Sequence, residues 1–293
     1  MKRKREPAAA GRLRTILFAT DLSARADRAF LRAVELAVRH GAKLTVLHVV
    51  DGDLPMAMAA RIREEAAEAI RHQIETAPDA ASLHATIRVD PGDPYETILR
   101  CAKQIAAELL VFGMHRTRPL ADLFIGTTTE RVARLGGRPV LVVRDLVRGP
   151  YGRAVAAVDF SPASRQAIAL ARRLAPDATL QLVHAYHTPF GGLIGSVADR
   201  RSEKDAHEQG LAVLLAQQSG PASAKGTKGT LLPPIIKAGA VPDVVLNETR
   251  RAKADLLVLG THGRSAVAQA LLGSIAAGFL NRPPCDVLAV PAR

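Results

Sequence analysis

Short apolar runs alternate with amphipathic stretches along this chain. The apolar runs have the usual length of buried strands, and they cover residues 14–20, 44–50, 82–89, 109–113 and 140–143. After the first run, Leu31, Val34 and Val38 fall on one helical face, and Gly41 supplies a typical helix end. Residues 55–77 and 94–106 have helix-forming composition. This alternation predicts an α/β unit with a parallel sheet.

The same order of segments begins again near Arg153. FATDLS, which contains Asp21, matches AAVDFS, which contains Asp159. AELLVFG matches ADLLVLG and aligns Gly113 with Gly260, 147 positions later. One unit is therefore duplicated. We predict a disordered basic tail over residues 1–12, a first domain over 13–144, a linker over 145–152 and a second domain over 153–293.

The expected sheet has its first strand at the centre. With strands two and three on one side and strands four and five on the other, the order is 3-2-1-4-5 in each domain. Ligands of open α/β sheets bind beside the carboxyl ends of the strands where the connections diverge. That crevice lies between strands one and four, so we expect Asp159 and Gly260 on its two sides. The two fifth strands have exposed apolar edges in this order, and we expect them to pair with each other within one chain.

Residues 255–275 combine an apolar run with glycines. Gly260, Gly263, Gly273 and Ser274 follow the strand and open a helix. Glycine lets backbone N–H groups approach an anion, and a helix N-terminus favours negative charge. Phosphate binding is one interpretation of this stretch; a plain strand, loop and helix cap is the other. Asp159 is equally ambiguous, because a carboxylate there can accept from a base or ribose, or cap the next helix.

Composition limits the class of protein. The length of 293 residues and a hydrophobic content of 48% suit two globular domains. The net charge is +12, and much of it is concentrated at the start, in Lys2, Arg3, Lys4, Arg5, Arg12 and Arg14. A solvated tail is the usual outcome, and contact with nucleic acid or an acidic membrane surface is the alternative. No leader-type or membrane-spanning apolar run is present, which predicts a cytoplasmic protein. Cys101 and Cys285 are expected to be buried thiols.

These motifs together resemble tandem universal stress proteins. Each repeat has the Asp after strand one, a His at the end of strand two (His48 and His184) and a DLLVLG-type fourth strand. The second repeat carries the full glycine pattern of nucleotide-binding members. The resemblance implies an adenine-nucleotide α-hydrolase-like fold that holds ATP, with or without Mg²⁺. It places Asp159 near the adenosine, the backbone of Ala185 against adenine, and the phosphates over 260–263 and 273–275, which includes His262, Gly263 and Ile275.

The first repeat departs from this pattern at one position. Arg116 stands where the second glycine is expected, although Gly113, Gly126 and Thr127 are kept. The side chain either blocks the approach of a phosphate or binds it as a bidentate donor. If this weaker site is occupied, Asp21 and Val49 are its adenosine-side residues.

Three classes of function remain open. The leading hypothesis is an ATP-binding stress-response regulator with unknown protein partners. The second is a slow ATP hydrolase, for which the sequence nominates no catalytic residue. The third is an interaction protein with vestigial phosphate loops. Sequence motifs of P-loop enzymes, dinucleotide-binding domains, zinc proteases and α/β-hydrolases do not occur.

Overall fold

The computed structural model describes residues 11–114, 128–186, 205–213, 229–261 and 272–292. The first repeat consists of β1 (Thr15–Thr20), α1 (Ala26–His40), β2 (Lys43–Val50), α2 (Met56–Glu75), β3 (His84–Pro91), α3 (Pro94–Gln104), β4 (Leu109–Gly113), α4 (Thr128–Leu135) and β5 (Val140–Val143). The second consists of β6 (Arg153–Ala157), α5 (Pro162–Leu174), β7 (Thr179–Tyr186), α6 (205–213), β8 (Ile235–Ala238), α7 (Val241–Arg251), β9 (Leu256–Gly260), α8 (Ser274–Asn281) and β10 (Asp286–Val290). Most of the predicted basic tail, residues 1–10, lies outside the described residues.

The ten strands of the described residues form one sheet. Their order is β3-β2-β1-β4-β5-β10-β9-β6-β7-β8, and the neighbours within each repeat are parallel. Helices cover both faces. One apolar cluster contains residues of α1, α2, α5 and α6, and the other contains residues of α3, α4, α7 and α8. Because both faces are covered, β5 and β10 are buried along their whole lengths.

The expected pairing of the two fifth strands is confirmed, since β5 and β10 pair antiparallel. Leu141 lies opposite Leu288, its own equivalent in the second repeat. Val140 lies opposite Ala289, and Val142 lies opposite Val287. Two-fold symmetry requires this exchange of equivalent positions about one central pair. It also sends the carboxyl ends of the strands of the two repeats to opposite ends of the sheet.

The buried carboxylate of Asp286 holds the segment that connects the two repeats. Asp286, at the start of β10, accepts hydrogen bonds from the backbone N–H groups of Arg144 (2.9 Å) and Asp145 (3.0 Å). Its other oxygen accepts from the Tyr151 hydroxyl at 2.7 Å, and the guanidinium of Arg32 lies 3.4 Å away. The same guanidinium stacks on the Tyr151 ring at 4.0 Å. Burial raises the pKa of Asp286 in spite of these donors, and it raises the pKa of Tyr151 well above its ordinary value.

A second link joins α5 to the beginning of the chain. Arg173 donates to the Arg12 carbonyl (2.6 Å) and to Glu108 Oε2 (2.8 Å), which also accepts from the Arg14 N–H at 2.7 Å. Burial acts to raise the pKa of Glu108, but the hydrogen bonds from Arg14 and Arg173 outweigh it and lower the pKa. The ionised form of Glu108 therefore stabilises the contact between the repeats.

Within the part of the chain described here, every helix is too short or too polar to cross a lipid bilayer.

Tyr151→Phe tests whether the hydrogen bond from Tyr151 to Asp286 stabilises the segment between the repeats. The substitution removes the hydroxyl donor of a buried carboxylate, so we expect the free energy of unfolding to fall by about 1–2 kcal/mol. Tyr95→Phe is the control, because the Tyr95 hydroxyl has no hydrogen-bond partner among the described residues. Urea titration followed by circular dichroism measures both variants. Equal stability of Tyr151→Phe and the wild-type protein would show that this hydrogen bond does not hold the connection.

Glu108→Gln tests the pH dependence of the second link. A carboxylate with a lowered folded-state pKa stabilises the protein above its ordinary pKa, and that stability disappears as the pH falls through the lowered value. We expect the variant to be less stable than the wild-type protein by less than about 1 kcal/mol at pH 7, since solvent screens the pair. In unfolding titrations at successively lower pH, this difference should shrink as the pH falls below the ordinary pKa of a glutamate and through the lowered value of Glu108. A difference that stays constant over that fall in pH would contradict the assignment.

Candidate functional site

The larger described cavity of the second repeat lies at the carboxyl ends of β6 and β9. Its volume is about 400 Å³, which falls in the range of small-molecule sites. Six of the predicted site residues line it together, namely Asp159, Ala185, Gly260, Gly273, Ser274 and Ile275. His262 and Gly263 lie outside the described residues.

The backbone of Ala185 faces this cavity and has no backbone hydrogen-bond partner among the described residues. The backbone groups of Tyr186 point to the β8 side of the strand, because the Tyr186 carbonyl accepts a hydrogen bond from the Gly239 N–H at 2.9 Å. The backbone groups of Val183 point to the β6 side, because the Val183 carbonyl accepts a hydrogen bond from the Val158 N–H at 2.9 Å. Alternate residues of a strand point their backbone groups to the same side, so Ala185 also points toward β6. Since β6 ends at this level, the N–H and C=O of Ala185 face the space beyond it.

Asp159 sits in a tight turn between β6 and α5. Its Oδ1 accepts from the Ser161 N–H (3.1 Å) and from the Ser164 hydroxyl (2.6 Å). Ser161 is the N-cap of α5 and accepts from the Ser164 N–H. The intervening Phe160 has φ of 65°, a conformation that costs a non-glycine residue about 1–2 kcal/mol. Asp159 therefore organises the start of α5, and its Oδ2 has no hydrogen-bond partner among the described residues.

Gly260 is required by packing against α5. A Cβ built on Gly260 would lie 2.9 Å from the Cβ of Ala163 and 3.2 Å from its carbonyl carbon. The end of β9 thus touches the first turn of α5 with no room for a side chain. Gly113 makes the same approach to α1, where a Cβ would lie 3.2 Å from Ala26 Cα. Gly260 was expected to allow the close approach of an anion; it lines the cavity, and its lack of a side chain also permits this contact between strand and helix.

The available N–H groups lie at the N-terminus of α8. Gly273 is its N-cap, as predicted, but the Gly273 N–H donates to the Thr261 carbonyl at 2.7 Å. The Gly273 N–H is therefore engaged within the protein. The first N–H groups of an α-helix lack intrahelical acceptors, and the first three residues of α8, Ser274, Ile275 and Ala276, line the cavity. They give this end of the cavity a positive potential.

The first repeat has a matching but smaller cavity. Its volume is about 260 Å³, and Asp21, Val49 and Gly113 line it as expected. Leu22 repeats the strained turn with φ of 58°. Arg116, Gly126 and Thr127 lie outside the described residues. Because β5 and β10 are antiparallel, the two cavities open at opposite ends of the sheet.

Several wall residues were missed by the sequence analysis. Val241 and Val245 line the second cavity one turn apart on α7, and Thr261 and Ser164 also line it. The spacing of the two valines was a usable signal of a shared helical face. Ser164 had no comparable signal, since a serine in the first turn of a helix ordinarily contributes only to the turn.

The histidines at the ends of the second strand of each repeat and the two cysteines make contacts within the protein. The Nδ1 atoms of His48 and His184 lie 2.9 Å and 2.7 Å from the carbonyl oxygens of Thr20 and Val158. Cys101 and Cys285 are buried, as expected, and burial raises the pKa of both thiols. Among the described residues, no group of three metal-ligating side chains comes together.

Comparison with known proteins shows that this chain contains two domains of one family. The model of the universal stress protein family matches residues 12–144 and again residues 150–291. A universal stress protein of Thermus aquaticus is 33% identical over 141 residues, which is 45% of this chain and 98% of that protein. The crystal structure of a universal stress protein from Archaeoglobus fulgidus aligns with 97% of this chain and 98% of its own, with a TM-score of 0.71 and 19% identity. A putative universal stress protein from Pseudomonas aeruginosa aligns with 97% of this chain and 95% of its own, with a TM-score of 0.63 and 19% identity.

Gly260→Ala tests the packing explanation for this glycine. The added methyl group would overlap with α5, so we expect a loss of about 1–3 kcal/mol in the free energy of unfolding. Gly278→Ala is the matched control within α8, where a Cβ meets nothing within 4 Å. It should be neutral or stabilising by up to about 1 kcal/mol, because alanine favours helix. Chemical unfolding compares the two variants, and equal effects would contradict the explanation.

Proposed function

Because the chain belongs to the universal stress protein family, we propose that it is a stress-response regulatory protein that binds ATP in the cavity of its second repeat. The observation that carries the proposal is the convergence of three kinds of group on one cavity. These are the unpaired backbone of Ala185, the carboxylate of Asp159 and the N-terminus of α8. Each suits a different part of an adenine nucleotide.

The backbone of Ala185 suits adenine. Its C=O accepts from the exocyclic amino group of the base, and its N–H donates to the neighbouring ring nitrogen. Guanine presents the opposite arrangement, an acceptor oxygen and a ring N–H. The apolar side chains of Val183, Val241 and Val245 line the same cavity and suit the faces of a purine ring.

The polar ends of the cavity suit the ribose and the phosphates. Asp159 can accept a hydrogen bond from a ribose hydroxyl through Oδ2. The N–H groups at the start of α8 suit a phosphate, because they combine free donors with the positive end of the helix dipole. With Gly273 already bonded to Thr261, we assign phosphate contact to Ser274, Ile275 and Ala276. Any Mg²⁺ would be held chiefly by the phosphates, since divalent magnesium prefers phosphate and water oxygens.

The two repeats are proposed to differ in occupancy. The cavity of the first repeat is smaller, and Arg116 replaces a glycine of the motif there. We therefore propose one nucleotide per chain, held by the second repeat. Binding to the folded state stabilises it, so nucleotide concentration sets the stability of the second repeat and the surface that it offers to protein partners.

Calorimetric titration with ATP and GTP tests the choice of base. We expect ATP to bind with a stoichiometry of one and to raise the melting temperature, while GTP binds at least about tenfold more weakly because its donor and acceptor are reversed against Ala185. Equal affinity for both nucleotides would contradict the assignment of Ala185. Absence of any ATP binding would leave the interaction protein as the surviving hypothesis. Release of free phosphate would identify a hydrolase instead.

Asp159→Ala and Asp21→Ala form a matched pair that locates the site. Loss of a hydrogen bond to a charged group costs about 1.5–3 kcal/mol, so we expect Asp159→Ala to weaken ATP binding by roughly tenfold or more. Asp21→Ala should change the affinity less than about twofold, because the first repeat is not the proposed site. The reverse order of effects would place the nucleotide in the first repeat.

A further inference from the structure

The aspartates that follow the first strand of each repeat have different surroundings. Ser164 donates its hydroxyl to Asp159 Oδ1 at 2.6 Å and accepts from the Asp159 N–H at 3.1 Å. The Ser164 side chain is thus bonded to both the carboxylate and the backbone of one residue. Ser164 is only 2% exposed, and it also lines the cavity. The short distance is typical of a hydroxyl that donates to an ionised carboxylate.

The first repeat cannot make this contact. The alignment that sets Asp21 against Asp159 sets Ala26 against Ser164. Ala26 lines the first cavity at the equivalent position in the first turn of α1. Asp21 Oδ1 accepts from the Ser23 N–H at 3.0 Å, as Asp159 accepts from Ser161. The methyl group of Ala26 has no proton to donate, so a hydroxyl contact from this position of the first turn occurs only in the second repeat.

A carboxylate held at one oxygen is fixed in its rotation. Asp159 Oδ1 is bound from two directions, by the Ser161 N–H and by the Ser164 hydroxyl. The side chain consequently loses little conformational freedom when Oδ2 binds a ligand. Prior orientation of this kind raises affinity and also selectivity for a ligand hydroxyl at one position.

We propose that Ser164 is a positioning residue that orients the Asp159 carboxylate toward a ribose hydroxyl and makes the second repeat selective for ribonucleotides. The inference rests on the proposed function of the same cavity. It assigns to Ser164 a part of the difference between the repeats, in addition to the substitution at Arg116. Ser164 acts through Asp159 and is not itself assigned a contact with the ligand.

The test compares ATP with 2′-deoxy-ATP and 3′-deoxy-ATP by calorimetric titration of the full chain. In the wild-type protein, we expect one of the two deoxynucleotides to bind at least about tenfold more weakly than ATP, because it lacks the ribose hydroxyl that donates a hydrogen bond to Asp159. In Ser164→Ala, ATP binding should weaken several-fold and this discrimination should fall to about threefold or less. Ser164→Thr keeps the hydroxyl and should keep the discrimination even where the extra methyl group lowers the melting temperature.

Ser161→Ala is the control for damage to the turn. It removes the N-cap of α5 and the long 3.4 Å contact from the Ser161 hydroxyl to Ser164 Oγ. It leaves both donors to Asp159 Oδ1, which are the backbone N–H of residue 161 and the Ser164 hydroxyl. We expect a lower melting temperature with unchanged discrimination between ribose and deoxyribose. Equal loss of discrimination in Ser161→Ala and Ser164→Ala would overturn the proposal, because the turn would then be the cause.

The outcomes separate this inference from the proposed function. A wild-type protein that binds no adenine nucleotide refutes the proposed function itself. A wild-type protein that binds ATP without discriminating against either deoxynucleotide refutes the role of Ser164 and leaves nucleotide binding intact. Unchanged discrimination in Ser164→Ala, with ATP still bound by the wild-type protein, refutes the positioning role in the same way.

Discussion

The antiparallel pairing of β5 with β10 determines the arrangement of the whole molecule. Each repeat alone would present an apolar fifth strand at the edge of its sheet, and an open edge of that kind recruits another strand. Here the partner is the second copy in the same chain, and Leu141 meets Leu288 at the centre of the exchange. The result is a continuous sheet of ten strands whose outer strands are β3 and β8. It also separates the two cavities by placing them at opposite ends of that sheet, so that each can diverge in sequence.

Symmetry of the backbone coexists with asymmetry of the side chains. Both repeats have the strained residue after the aspartate, Leu22 in one and Phe160 in the other, and both have a glycine where the fourth strand meets a helix. These features belong to the duplicated scaffold. The differences lie at positions that the scaffold leaves variable, such as Ala26 against Ser164. The contact that holds the connecting segment is likewise made by a residue of the second repeat, because Asp286 at the start of β10 accepts hydrogen bonds from the backbone N–H groups of Arg144 and Asp145.

The sequence predicted the elements, the duplication and the pairing of the fifth strands, because these depend on apolar patterning that is visible locally. It also brought together the residues of the second cavity, since carboxyl ends of parallel strands meet at one edge. Other features depend on contacts between distant segments and could not be anticipated. The contact of Gly260 with Ala163 needs the angle between β9 and α5, and the bond from the Gly273 N–H to Thr261 needs the path of the chain. The buried network of Asp286, Tyr151 and Arg32 joins three regions that no sequence pattern connects.

The proposed adenine-nucleotide site of the second repeat consists of one strand edge, one carboxylate and one helix N-terminus, and we infer that it is preformed. The decisive experiment is a crystal structure of the full chain with a non-hydrolysable ATP analogue. We expect electron density for the analogue in the second cavity, with adenine against the backbone of Ala185, ribose beside Asp159 and a phosphate at Ser274–Ala276. Density for the analogue elsewhere, or a cavity filled by the protein's own side chains at saturating analogue, would refute this site.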